Sequence, residues 1–242
     1  MSGDPQRVCL FTGASGRLGT MFCRLYGHRY RIAAVHHTRR TVQSSQMCWS
    51  IDPLDSSVRK PIGVPGFAAL EADLSDPRQV PRVVEFALDT FGGVDVLVNA
   101  AAMAHCAPLF GPDATLDVAR LFGVNVLAPL QLAVELVNRF WGARARDNAA
   151  MNRNIVNVSS TSGAYVFAGQ GGYSASKAAL NMLTCHMAEE LGAIGIRANA
   201  IAPDSFPQAV STESVCDAIA RVDQGSLNGK LLLLEREGET VV

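Results

Sequence analysis

The sequence predicts an α/β fold: a single doubly wound parallel sheet of about seven strands with helices on both faces. Short apolar segments alternate with longer segments of helical spacing, as they do where helices connect parallel strands. The first apolar segment runs into a glycine-rich turn that opens a helical pattern. The chain has 242 residues, 48% of them hydrophobic, which is enough for one such domain with a well-buried core. We therefore expect one domain over 1–242.

The individual elements follow from the same patterns. Strands are predicted where short apolar runs end at turn residues, at 8–11, 31–35, 66–70, 94–99, 154–159, 197–202 and 230–234. Helices are predicted at 17–26, 77–91, 116–139, 173–191 and 212–222. Segment 41–65 fits neither pattern, because Pro53, Pro61 and Pro65 oppose a long helix. We expect an irregular excursion there.

The turn after the first strand indicates a site for a dinucleotide. It reads Thr12-Gly13-Ala14-Ser15-Gly16-Arg17-Leu18-Gly19. Glycine lets the backbone approach a diphosphate closely, and the N-terminus of the following helix offers free N–H groups and partial positive charge. The candidate contacts are Gly13, Ser15, Gly16, Arg17, Leu18 and Gly19. An ordinary tight turn is the alternative interpretation.

Three polar residues in the second half of the chain suggest acid–base chemistry. Tyr173 and Lys177 are four positions apart, so on a helix they share one face. A free phenol has a pKa of about 10, and a cation beside it favours the phenolate. Ser160, upstream in Val158-Ser159-Ser160, offers a hydroxyl that can polarise a carbonyl.

Taken together, these motifs resemble the short-chain dehydrogenase/reductase family over nearly the whole chain, which implies a Rossmann-type sheet. The matching features occur in the family's order: the glycine turn, Asp73, Asn99-Ala100-Ala101-Ala102, Asn125, Ser160, Tyr173, Lys177 and Ile201-Ala202-Pro203. Arg17 stands where the family usually has glycine. The resulting pattern is similar to that of pteridine reductases, which commonly carry aspartate where this chain has Ser160. The turn is therefore evidence about the cofactor pocket and does not establish a pterin substrate.

The resemblance implies roles for four catalytic residues. Tyr173 would give its proton to a carbonyl oxygen as hydride arrives, and Ser160 would hold that oxygen. Lys177 would lower the pKa of Tyr173 and bind the nicotinamide ribose. Asn125 would hold a water that links the lysine to solvent; the alternative is an ordinary core amide with satisfied hydrogen bonds. Alternation along the strand would turn the neighbouring Ser159 the other way.

The residues after the second strand favour NADP(H) over NAD(H). Sites selective for NAD usually place an acid there to bind the ribose 2′-hydroxyl, and no acid lies between Ile32 and Gln46. Donors and positive charges suited to a 2′-phosphate stand there instead: His37, Thr38, Arg39 and Arg40. Solvated surface charge is the alternative. By family analogy Asp73 would accept from the adenine amino group, and Asn99 and its small successors would pass close to the ribose. The resemblance also places Leu74, Ala100, Ala101, Tyr173, Lys177 and Pro203 against the cofactor.

The substrate pocket is less well determined. Its predicted lining includes His105, Phe167, Gln170, Asp204 and Phe206. Family members usually carry a glycine, a threonine and a long lid after Pro203, but here a helical pattern begins near Thr212. A truncated lid over 204–211 would leave the site open to a bulky or carrier-bound substrate, or to completion by a neighbouring subunit. Asp204 would meet a cationic group or would simply be a turn residue.

These features predict an NADPH-dependent oxidoreductase that reduces a carbonyl or imine. A pteridine reductase is the first alternative, and a catalytically inactive NADPH-binding sensor or scaffold protein is the second. The family's habits imply a homodimer or homotetramer that pairs helices 116–139 and 173–191. A net charge of -1 gives no reason to expect nucleic acid, and the six scattered cysteines give no metal spacing. With neither a signal segment nor a bilayer-spanning stretch expected, a cytoplasmic location is predicted.

Overall fold

The computed structural model describes residues 6–38, 48–51, 59–62 and 66–242. Ten strands are formed in these ranges: β1 (Arg7–Thr12), β2 (Tyr30–His36), β3 (Cys48–Ile51), β4 (Arg59–Ile62), β5 (Phe67–Glu71), β6 (Val96–Asn99), β7 (Asn154–Val158), β8 (Arg197–Pro203), β9 (Leu231–Glu235) and β10 (Gly238–Val241). Eight of them form one sheet in the order β10-β9-β8-β7-β6-β1-β2-β5. The predicted doubly wound parallel sheet is confirmed.

One strand of this sheet was not predicted. β10 pairs antiparallel with β9, whereas all other neighbours in the sheet are parallel. Its residues Gly238–Val241 are exposed and mostly polar, so they give no apolar run to detect.

The helices follow the prediction closely. They are α1 (Arg17–Tyr26), α2 (Gln79–Phe91), α3 (Val118–Phe122), α4 (Ala128–Leu136), α5 (Ala145–Ala150), α6 (Gly171–Gly192) and α7 (Thr212–Gln224). A π-helical turn at Gly123–Leu127 joins α3 to α4, and a second at Val137–Trp141 follows α4. The predicted helix 116–139 is therefore one helical rod, Val118–Trp141. The six-residue α5 is too short for a periodic signal.

Two apolar layers enclose the sheet because successive strand residues point to opposite faces. On β1, Phe11 packs with α1 and α7, next to Phe22 and Ile219. Leu10 packs on the other face, with α2, α4 and α6, near Val83 and Leu132. Strands buried on both faces explain the continuous apolar runs in the sequence.

The rod Val118–Trp141 corrects one expectation. By length and composition alone it is apolar enough to cross a membrane, although the sequence suggested that no stretch is. Its inner side supplies core residues, including Leu121, Leu132, Leu136 and Trp141, which are fully buried. Apolar residues on its outer side, such as Val134, raise its hydropathy further.

Segment 41–65 is only partly described. β3 and β4 pair antiparallel as a separate two-stranded sheet, which the expectation of an irregular excursion missed. Four residues on each side are too few to reveal a pattern in the sequence. The remainder of this segment, including the candidate cofactor residues Arg39 and Arg40, lies outside the described residues.

Candidate active site

The glycine turn brings two backbone segments into contact. Gly13 has a φ of 72°, and a Cβ there would lie 2.7 Å from the nitrogen of Ala101. At Gly19 a Cβ would lie 2.5 Å from the Cα of Ala14. Only glycine fits either position, so the turn packs directly against the loop that follows β6.

A threonine that was not among the predicted site residues fastens this contact. The Oγ1 of Thr12 accepts hydrogen bonds from the backbone nitrogens of Ala100 and Ala101, both at 3.1 Å. The same hydroxyl donates to the carbonyl of Val98 at 3.3 Å. Thr12 is buried and pairs across the sheet with Asn99, 87 positions along the chain. No local pattern in the sequence reveals such a partner.

The first turn of α1 has no internal neutralising group. Gly16 is its N-cap without a side-chain hydrogen bond, and no acidic residue lies in the first turn. The partial positive charge at this end of the helix is therefore not neutralised by a side chain of the first turn, so it is suited to bind the diphosphate of a dinucleotide. Because Leu18 and Gly19 are buried, only their backbone groups are available to contact a cofactor. Arg17 is exposed and makes no ion pair within the described residues.

A cavity of about 260 Å³ lies beside this turn. Its wall contains Gly13, Ser15, Gly16, Val35, His36, His37, Ala72, Asp73, Leu74, Ala100, Ala101, Ala102, Met103, Arg120 and Val124. Many of the predicted cofactor residues thus surround one space. Thr38 is exposed and is not part of the wall.

Asp73 is held between donors in this cavity. Its Oδ1 accepts from the backbone nitrogen of Ser75 at 2.9 Å and from its hydroxyl at 2.7 Å. Its Oδ2 lies 3.6 Å from both the Nε2 of His37 and the Nη2 of Arg120. The hydrogen bonds from Ser75, with smaller help from His37 and Arg120, lower the pKa of Asp73 against the cost of desolvation. Arg120 was missed because it comes from α3, far along the chain.

Asn99 does not point into this cavity. Its Nδ2 donates to the Oδ1 of Asn157 at 2.8 Å, and its own Oδ1 is buried without a partner. The predicted approach to the cofactor ribose at this position belongs to the backbone and to Ala100 and Ala101, which do line the cavity.

A second cavity, of about 390 Å³, contains the predicted catalytic pair Ser160 and Tyr173. Its wall is formed by Ala104, Cys106, Ser159, Ser160, Thr161, Ser162, Phe167, Gln170, Tyr173, Pro203, Asp204, Ser205 and Phe206. The prediction that His105 lines it is wrong: the Nε2 of His105 pairs with the carbonyl of Asp113 at 2.8 Å, within its own loop. The thiol of Cys106, the next residue, takes that place in the wall.

Tyr173 and Ser160 stand in the wall of the same cavity. Burial raises the pKa of Tyr173, and the nearby hydroxyl of Ser160 opposes that rise. The Oγ of Ser160 accepts from the backbone nitrogen of Ser162 at 3.2 Å, which fixes it at the start of a short 3₁₀ turn. The hydroxyl of Ser159 is instead directed to the carbonyl of Lys177 at 3.4 Å, although Ser159 also contributes to the cavity wall.

Lys177 behaves differently from the expectation. Its Nζ donates to the carbonyl of Val158 at 2.8 Å and lies 5.7 Å from the ring centre of Tyr173. Burial lowers the pKa of Lys177 to about 8. The expectation that Lys177 lowers the pKa of Tyr173 is wrong for the protein without cofactor, because burial of the phenol is the larger influence and the ammonium faces a backbone carbonyl.

Asn125 lies in the π-helical turn, and both the oxygen and the nitrogen of its side-chain amide form hydrogen bonds. Its Oδ1 accepts from the nitrogen of Met103 at 2.8 Å, and its Nδ2 donates to the carbonyl of Met103 at 2.9 Å and to Ser176 Oγ at 3.0 Å. The Ser176 hydroxyl donates to the carbonyl of Tyr173 at 2.7 Å. The side chain ties the loop after β6 to helix α6, as the core-amide alternative predicts. Its Oδ1 keeps a second lone pair, so the water at Asn125 remains a prediction.

Known proteins resemble this chain in sequence and in fold. A model of the family described as short chain dehydrogenase matches residues 7–216. The chain belongs to the short-chain dehydrogenase family. It is 31% identical over 230 residues to the 3-oxoacyl-[acyl-carrier-protein] reductase FabG of Thermotoga maritima, covering 90% of this chain and 83% of that protein. With the galactitol 2-dehydrogenase of Agrobacterium fabrum the identity is 32% over 200 residues, covering 81% and 69%.

Solved structures agree on the fold. A short-chain dehydrogenase from Mycobacterium smegmatis superposes with a TM-score of 0.75 at 22% identity, covering 94% of this chain and 91% of that one. A 4-hydroxyisoleucine dehydrogenase complexed with NADH and succinate gives a TM-score of 0.69 at 20% identity, covering 93% and 96%. Short-chain dehydrogenases are oxidoreductases that bind nicotinamide cofactors and act on small molecules. The glycine turn and the uncapped α1 fit such a cofactor.

Proposed function

We propose that this short-chain dehydrogenase is an NADPH-dependent reductase of a carbonyl or imine in a small or carrier-bound metabolite. The observation that carries the proposal is that Ser160 and Tyr173 line one cavity, with Lys177 one helical turn further along α6 and its Nζ 5.7 Å from the ring centre of Tyr173. When bound, the cofactor supplies hydride. The side chains of the protein orient the substrate and donate the proton.

Tyr173 serves as the proton donor in this proposal. A phenol with the ordinary pKa of about 10 is protonated at neutral pH, and burial raises the pKa of Tyr173 further, so Tyr173 holds the proton that it gives to the substrate oxygen. The Ser160 hydroxyl is fixed nearby and hydrogen-bonds the same oxygen as negative charge develops on it. Lys177, buried behind the phenol, holds the cofactor ribose and replaces the lost proton. Positioned proton transfer of this kind contributes ~10²–10⁴-fold to the rate.

The preference for NADPH rests on the groups around the adenosine end. β2 ends in His36 and is followed by His37, so no carboxylate follows the strand to accept from a ribose 2′-hydroxyl. His37 and Arg120 line the cavity, and both supply donors for a phosphate. The adjacent Arg39 and Arg40 add positive charge to this segment of the sequence.

Titration of cofactor binding tests this preference without a substrate. We expect NADPH to bind at least about tenfold more tightly than NADH, since a 2′-phosphate matched by cations gains charge-assisted hydrogen bonds. Arg120→Met should weaken NADPH binding severalfold, and Arg120→Lys, which keeps the charge, should weaken it less. Equal affinities for the two cofactors in the unaltered protein would refute the assignment.

NADPH oxidation over a panel of ketones, imines, quinones and dihydropterins tests the reaction. Turnover of a ketone or imine supports the proposal, and turnover confined to dihydropterins would favour the pteridine reductase that Arg17 suggested. Tight NADPH binding with no turnover on any of them would instead favour a sensor or scaffold protein. We further propose a cytoplasmic homo-oligomer. The exposed apolar residues Leu130 and Val134 of α4 and Met182 of α6 supply the faces that would pair.

A further inference from the structure

Large apolar side chains are exposed on the two loops that contribute Cys106 and Phe167 to the wall of the catalytic cavity. The loop between β6 and α3 exposes 81% of Leu109 and 95% of Phe110. The loop before α6 exposes 99% of Val166 and 40% of Phe167. Removing such side chains from water is strongly favourable, so a cluster of them in solvent indicates a surface that binds something apolar. We call these four residues the mouth patch.

The two loops are fastened to each other. The backbone nitrogen of Ala107 donates to the carbonyl of Gly169 at 2.8 Å. A Cβ on Gly171 would lie 3.2 Å from the Cδ2 of Leu109, so the leucine packs closely on that glycine. The mouth patch is therefore already assembled before a ligand arrives, and binding to it does not require the loops to be ordered first.

The patch continues into the cavity where reduction is proposed. Phe167 belongs to both, since it is partly exposed and also lines the cavity wall. On the other loop, Cys106 lines the cavity and Leu109 follows three positions later. The same wall carries the polar residues Ser160, Gln170 and Tyr173. A ligand that spans this surface is polar at one end and apolar along its length.

We propose that the substrate carries a long acyl or alkyl chain that leaves the cavity over Phe167 and lies on the mouth patch. This inference rests on the proposed reduction and names the substrate class for it. The connection between Pro203 and Thr212 is short and contributes Asp204, Ser205 and Phe206 to the cavity wall. A second copy of the protein fits less well, because the apolar faces of α4 and α6 offer a separate surface for pairing and the mouth patch ends inside a cavity.

The rate of ketone reduction across a homologous series tests the proposal. For methyl ketones from butanone to decan-2-one we expect kcat/KM to rise at least about tenfold, since one fully buried methylene gains about fourfold. In the double variant Phe110→Ser with Val166→Ser the rise should fall to about twofold or less, with butanone turnover unchanged. The control Val242→Ser alters an apolar residue that is 62% exposed elsewhere, and should keep the full rise.

A binding measurement separates failure of this inference from failure of the proposed reaction. An undecyl chain with a dansyl label should bind the NADPH-loaded protein, and the double variant should lose at least about tenfold in affinity. Loss of binding in the variant supports the patch even if no ketone is reduced. A flat series, or an equal rise and equal dye binding in the double variant, overturns the inference. The double variant could also sediment differently from the parent while its kcat/KM still rises along the ketone series. That result would assign the mouth patch to contact with a second copy of the protein, and it likewise overturns the inference.

Discussion

The two edges of the parallel sheet are built for different purposes. At the amino edge, where the strands begin, charged side chains are paired with one another. Asp223 accepts from Arg7 at 2.8 and 3.0 Å and from the hydroxyl of Tyr30 at 2.9 Å. Asp95 accepts from the backbone of Val8 at 2.9 Å and from Arg153 at 3.3 Å.

At the carboxyl edge, by contrast, some polar groups of the proposed site are buried with few partners. Within the residues that the structure describes, Lys177 is 1% exposed and its one hydrogen bond is to the carbonyl of Val158, and the buried Oδ1 of Asn99 has no partner. Helix α1 begins without a side-chain cap. Paired charges stabilise the folded state, whereas under-satisfied ones are retained where a ligand will complete them. The comparison predicts that substitutions at the two edges separate stability from activity.

The largest expected effect is that of Tyr173→Phe at the carboxyl edge. Without its hydroxyl the side chain cannot donate a proton, so kcat should fall by about 10³-fold or more. NADPH affinity and the urea midpoint should stay within error of the parent protein. Ser159→Ala, which changes the adjacent hydroxyl that faces away, is the matched control and should keep most activity. Substantial turnover by Tyr173→Phe would remove the tyrosine from the mechanism.

At the amino edge, Asp223→Ala should act in the opposite way. It leaves Arg7 and Tyr30 without their shared partner, and removing one side of a buried ion pair costs about 3 kcal/mol of unfolding free energy. The kcat of the protein that remains folded should be unchanged. Asp217→Ala on the same helix removes an exposed contact with Tyr26 and should cost under about 1 kcal/mol. Similar losses from both variants would contradict the contrast.

Lys177→Met should show that the carboxyl edge lowers stability. Burial depresses the pKa of Lys177 from 10.5 to about 8, so below pH 8 the folded protein carries a poorly solvated charge. The unfolded chain binds more protons than the folded one between pH 8 and 10.5, so stability rises with pH across that window. The variant should therefore be more stable than the parent at pH 7, by about 3 kcal/mol, and this gain should shrink towards pH 10.5. A pH-independent difference in urea unfolding would contradict this account.

A smaller effect is expected from Thr12→Val, which keeps the shape of the side chain. The nitrogens of Ala100 and Ala101 lose their acceptor, which costs about 1–2 kcal/mol. Because these residues line the adenosine cavity, NADPH affinity should fall about tenfold. Thr12→Ser retains the hydroxyl and should bind nearly as the parent does. Unaltered affinity in the valine variant would show that the loop holds its position by packing alone.

Much of the fold could be predicted because its signals are local. The apolar strand before Gly13 and the spacing of Tyr173 and Lys177 each lie within a few residues. The contacts that were missed join distant parts of the chain: Thr12 to the loop after β6, Arg120 to Asp73, and Asn125 to Met103. The orientation of His105 likewise depends on its contact with the carbonyl of Asp113 in the same loop rather than on its residue type. Rotamers and partners of this sort are decided by packing, which one sequence does not encode in a readable period.

The bonds of Thr12 and Asn125 have a joint consequence for how the reactants would be aligned. One short stretch, Ala100 to Met103, is gripped from the first strand at one end and from the π-turn at the other. Ser176 extends these contacts, because its hydroxyl accepts from Asn125 and donates to the backbone carbonyl of Tyr173. The stretch Ala100 to Met103 thus connects the wall of the proposed coenzyme cavity to helix α6, which carries the proton donor Tyr173. A displacement of this stretch would move the bound coenzyme and Tyr173 in the same direction. The distance between the coenzyme and Tyr173 would therefore change less than the position of either one.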